Sequence, residues 1–233
     1  MESGSLSSEE FPAFTSKVVP YLHITTRLED RKDESLFSEI GGRGFPTMKF
    51  MDADGTVLGE PNGRDVAAFE ATLESMMVVK NIEKRIAKGE KGLENELFMA
   101  QLRLGVIDFE EAKATFASLK KLSDEQTQEI KGLLLNLEVM SILDSVDSDD
   151  AAAAAGEKFK DMAEEGRIPT GDALGSYWSL IMTYAKGESD ADLFEKALKA
   201  LEEKYGKEES AKSFFEQQAE VLKEMREDAK VDS

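Results

Sequence analysis

The sequence predicts an α+β chain, with a mixed α/β segment over residues 1–79 followed by an all-α domain of helical hairpins over residues 80–233. Three observations predict it. Runs rich in β-branched and aromatic residues, together with an Asp-Gly hairpin signal, are confined to the first third of the chain. Beyond about Val79 strand signals vanish. In their place come apolar residues spaced three and four apart, in blocks punctuated by glycine and aspartate.

In order along the chain, Phe11 to Val19 is a short amphipathic stretch, and PYLHITTRL after it predicts a strand from Tyr21 to Thr26. SLFSEI reads as a short helix closed by Gly41 and Gly42. FPTMKFMD then alternates faces as a strand, DADG turns, and TVLGE is the partner strand. Asp65 is a good N-cap for the helix VAAFEATLESMM. A boundary between the two parts is predicted within Val78 to Glu83.

Helices follow at Leu93–Leu104, Phe109–Leu119 and Ser123–Leu143, the last with Asp124 and Glu125 suited to its positive N-terminal end. The five alanines Ala151–Ala155 begin another helix, reaching about Glu165, with Asp149 or Asp150 as its cap. GRIPTGD breaks the pattern, and further helices are predicted over Ala173–Ala185, Ala191–Tyr205 and Glu208–Ala229. The hairpins LFMAQLRLGVIDFEEAKATFASL and SLIMTYAKGESDADLFEKALKAL resemble tetratricopeptide-like antiparallel helix pairs. Their period is irregular, and an irregular helical bundle is the other reading of the same pattern.

Composition excludes several chemistries. A formal charge of −19 disfavours contact with phosphate backbones and anionic lipid surfaces, so no nucleic acid or membrane insertion is expected. Zero cysteines remove disulfides, thiolate nucleophiles and cysteine-ligated metals. No apolar run approaches the roughly 18–20 residues that span a bilayer. The polar opening MESGSLSSEEF has no signal-peptide pattern, which predicts a cytoplasmic protein as written.

The segment Val18 to Leu58, and above all GFPT followed by MDADGTVL, resembles the thioredoxin-like family from the end of its first active-site helix onward. The resemblance covers about the first third of the chain. It implies a cis Pro46 and, from the loop Phe45, Pro46 and Thr47, a backbone that can pair with an extended peptide; fixing the turn into the strand is the alternative role of these residues. Two of the family's features are missing: the CxxC and the strand that precedes it. The strands at Tyr21–Thr26 and Pro46–Met51 are therefore each left short of a neighbour, and unpaired buried backbone groups are costly. Three arrangements satisfy them: the chain is an N-terminally truncated thioredoxin-like protein, periplasmic or secreted; the two strands pair directly; or a second copy supplies a strand, giving a homodimer through the open sheet edge.

Other candidates have plainer explanations. His23, the sole histidine, lies in an apolar strand pattern with no nucleophile nearby to serve. GGRG lacks the lysine of a phosphate cradle and reads as a helix stop. Asp52, Asp54 and Glu60 belong to a hairpin rather than a calcium loop, and Asp144, Asp147, Asp149 and Asp150 to a solvated capping loop. Tyr177, Trp178 and Tyr184, with Phe194, Phe214 and Phe215, fall at helical spacings that suit core packing; in stacked helix pairs, Tyr177, Trp178 and Tyr184 would instead be exposed partner-binding anchors. The expected function is non-catalytic binding of a protein or peptide, or scaffolding, with the helical domain as contact surface and no cofactor or metal. The alternative is a truncated thiol–disulfide oxidoreductase whose CxxC lies upstream.

Overall fold

The computed structural model describes residues 4–24, 35–42, 45–61, 63–171 and 173–231. The architecture is α+β, dominated by helices, with one two-stranded antiparallel sheet among the described residues. The chain divides into two compact units, Met1–Ile107 and Asp108–Ser233.

In the first unit a 3-10 turn at Ser5–Ser7 leads into α1 (Phe11–Thr15), which Pro12 opens in its first turn, where a missing N–H costs nothing. Phe14 of α1 is buried against Val66 and Phe69, with Leu6, Met48 and Phe50 around them. Its ring lies 5.7 Å from that of Phe69 and meets Phe50 edge-on at 6.3 Å, distances typical of favourable aromatic pairs. This cluster ties the N-terminal turn to the sheet and to the helix beyond it.

α2 (Leu36–Glu39) forms where SLFSEI predicts a helix, and Gly41 takes the left-handed backbone (φ 70°) that ends it. The Phe45–Pro46 bond is cis, as the resemblance implies. β1 (Phe50–Met51) and β2 (Val57–Gly59) pair through the turn Asp52–Gly55, with the Asp52 N–H donating to the Thr56 carbonyl at 2.8 Å and Gly55 at φ 90°. Only the last two residues of the predicted strand Pro46–Met51 are strand.

The strand expected at Tyr21–Thr26 does not form over Tyr21–Ile24, and its last residues lie outside the described ones. The reason is physical: a strand is stable only with a neighbour to take its N–H and C=O groups. β1 pairs with β2 alone among the described residues, so direct pairing with Tyr21–Ile24 is not the arrangement adopted.

α3 (Val66–Ala87) starts at the predicted cap, where the Asp65 carboxylate accepts from the Ala68 N–H at 2.7 Å. It runs unbroken through residues 79 and 80. α4 (Glu94–Leu104) ends on Gly105 at φ 70° and packs on α3.

The described residues of the second unit are organised as helices: α5 (Phe109–Ser118), α6 (Asp124–Asp144), α7 (Asp149–Glu164), α8 (Ala173–Gly187), α9 (Ala191–Tyr205) and α10 (Lys212–Val231). Short polar residues cap most of them. Asp108 and Asp190 accept N–H bonds from Glu111 and Leu193, and Ser123 forms a reciprocal capping box with Gln126. The α7 cap is Ser148; Asp149 and Asp150, read from sequence as its caps, fall in the first turn, where their charge favours the helix dipole. A 3-10 turn at Glu209–Ala211 delays the start of α10 to Lys212, beyond the predicted Glu208.

α8 is the central element, packed on α6, α7 and α9, and α10 lies along α9. The α7–α8 approach depends on Gly156: a Cβ there would stand 2.3 Å from the Leu180 carbonyl oxygen, so only glycine lets the backbones meet. Of the two hairpins singled out in the sequence, α8 and α9 form a packed pair, whereas α4 and α5 belong to different units.

Candidate functional site

The aromatic residues of the second unit form its interior. Tyr177 is fully buried and Trp178 nearly so, their rings edge-on at 5.3 Å. The Tyr177 hydroxyl donates to the Phe159 carbonyl at 2.9 Å and lies 3.1 Å from that of Arg167, and burial pushes its phenol well above the ordinary tyrosine range. Tyr184 is half-buried, with the Lys160 ammonium 5.8 Å above its ring. Tyr177 and Trp178 are thus core residues rather than exposed anchors, because α8 is covered by helices on several sides and has no open face at their positions.

The first unit is different. Phe45 is 70% exposed and stacks on Phe37 with ring centroids 4.9 Å apart. Pro46 and Thr47 are half-buried beside it. Lys49 follows on the same loop and pairs with Glu60, across the hairpin. Tyr21, Leu22 and Ile24 are 69%, 74% and 50% exposed, and Met77 and Val78 project from α3 into solvent.

A shallow groove crosses this unit. Val57 and Leu58 of β2 form one wall, and Met76, Val79, Lys80 and Glu83 of α3 the floor. Gln101 and Leu104 of α4, with Val106 just beyond it, complete the lining. β2 comes close to α4 at Gly59, where a Cβ would stand 3.3 Å from Leu104. The Lys80 ammonium binds Asp52 at 2.6 Å, and that bond, with the Ala53 N–H, holds the Asp52 carboxyl below its usual range. Asp52 and Asp54 therefore serve the turn, Asp54 accepting from the Thr56 N–H at 3.0 Å. No group of carboxylates or histidines among the described residues has the arrangement to hold a metal ion.

Comparisons with protein-family profiles, with curated proteins and with solved structures find no match. The site is therefore read from its own chemistry: large apolar side chains of the first unit in solvent, and an edge of β2 that no other described strand covers. Sequence reasoning singled out the Phe45–Thr47 loop but not the groove. The available signal was MMVV, Met76–Val79, four successive apolar residues in one helix, which no single buried face can accommodate.

Proposed function

We propose that the chain is a non-catalytic protein-binding or scaffold protein whose first unit carries the contact surface. The observation behind this reading is the apolar surface of that unit, with Tyr21, Leu22 and Phe45 each more than two-thirds exposed. Large apolar side chains left in water are costly, and a partner that covers them recovers that cost. The second unit buries its aromatics and acts as a folded support.

On this reading the segment from Phe45 through α3 is a thioredoxin-like scaffold without its redox pair, and the helix pairs of the second unit are tetratricopeptide-like. The loop–hairpin–helix order and the packing of α8 between α7 and α9 support these assignments. Thiol–disulfide exchange needs a thiolate, and the sequence contains no cysteine to supply one. Among the described residues no helix is long and apolar enough to cross a membrane.

The test places a photo-crosslinking amino acid at Phe45 and, as control, at the exposed Glu203 in the full chain. Protein adducts are expected at Phe45 and not at Glu203, and Tyr21→Ser combined with Leu22→Ser should abolish them with the circular dichroism unchanged. Adducts at Glu203 alone, or adducts at Phe45 that survive the double substitution, would overturn the assignment of the surface.

A further inference from the structure

We infer that the groove between β2, α3 and α4 takes an extended peptide segment of a partner protein, with alternating apolar residues and a flanking lysine or arginine. This rests on the protein-binding reading and specifies the chemistry of the partner. Three observations carry it. β2 is bonded to β1 on one side, and among the described residues no strand pairs with its other edge. Such an edge presents N–H and C=O groups that an extended chain can complete by strand addition.

The groove lining sets the apolar side chains Leu58, Met76, Val79, Leu104 and Val106 among the polar Lys80, Glu83 and Gln101, so alternate apolar and polar side chains of the added segment both find partners. Its charges are unequal. Lys80 is neutralised by Asp52 at 2.6 Å, whereas the exposed Glu83 carboxylate has no cation paired to it among the described residues. The groove therefore offers one unmatched negative charge, in a molecule of formal charge −19 that draws cations and repels a second copy of itself.

The probes are two fluorescein-labelled synthetic peptides, KVTVTVK and its acidic counterpart EVTVTVE, titrated with the full chain and followed by anisotropy at low and high salt. The basic peptide should bind more tightly, and its advantage should shrink with salt. Glu83→Lys should weaken it by roughly three- to tenfold and narrow its advantage over the acidic peptide, as expected for reversing one rim charge. Val106→Gln should weaken both peptides alike. Equal binding of the two peptides, indifference to Glu83→Lys, or absence of binding by chain that is folded by circular dichroism overturns the inference. A concentration-dependent doubling of mass that Val106→Gln abolishes overturns it too, since the occupant would then be a second copy. If the adducts at Phe45 persist while the peptides fail, only the groove assignment falls; if both are lost, the protein-binding reading falls with it.

Discussion

Tyr177 shows how one residue organises a helical unit. Its ring packs 4.8 Å from that of Phe159, and its hydroxyl reaches the Phe159 carbonyl on α7 and the Arg167 carbonyl just after it. Arg167 in turn pairs with the largely buried Glu138 of α6, so Tyr177 reaches, through Arg167, a third helix of the unit. Tyr177→Phe keeps the ring and removes the buried hydroxyl that bonds the Phe159 and Arg167 carbonyls, which costs about 1 kcal/mol; urea unfolding followed by Trp178 emission should show a lower midpoint and an unchanged slope. The phenol also sets a pH limit. Its folded pKa is raised by burial, so the stabilisation is fully present below the unfolded value of about 10 and is lost as pH climbs above it. Wild-type stability should fall more steeply in that alkaline range than that of Tyr177→Phe, and parallel curves would show that another group governs the limb.

At the scale of the element, helices obey local rules that sequence exposes, and strands do not. The Ser123–Gln126 capping box satisfies two orphan donors of α6 reciprocally. This matters because α6 has apolar residues on all sides, including GLLLNLEVM, and its face gives little guidance to where it starts. Ser123→Ala should cost about 1 kcal/mol, read as a lower thermal midpoint, because the preceding Leu122 has no side-chain oxygen to take over the cap. Helix positions are therefore legible from caps, glycine stops and spacing to within a few residues, as at Asp65, Gly105 and Asp190. The β-branched run at Tyr21–Ile24 is equally persuasive as a pattern, yet a strand depends on a neighbour distant in sequence, and propensity cannot supply one. For the same reason the loop Phe45–Thr47 is legible as a motif, while the groove is not: its walls run from Val57 to Val106 in sequence and come together only when α4 packs on α3.

Across the whole molecule the two units differ in how completely they bury their apolar residues. The second encloses Phe159, Tyr177, Trp178, Ile181 and Phe194 around α8, whereas the first leaves Tyr21, Leu22, Ile24 and Phe45 in water. Burial supplies roughly 25 cal/mol per Å² of apolar surface removed from water, so the first unit has less to set against its chain entropy. Trp178, the sole tryptophan, is buried in the second unit and reports on that unit alone, while far-ultraviolet circular dichroism sums the helices of both. In a urea titration the ellipticity should therefore begin to fall before the Trp178 emission shifts, giving transitions that do not coincide and a chain that departs from two-state behaviour. A peptide that occupies the first unit would raise the earlier transition alone, because a ligand stabilises only the folded state it binds. Coincident curves would instead mean that the units unfold together, and the peptide would then shift both signals equally.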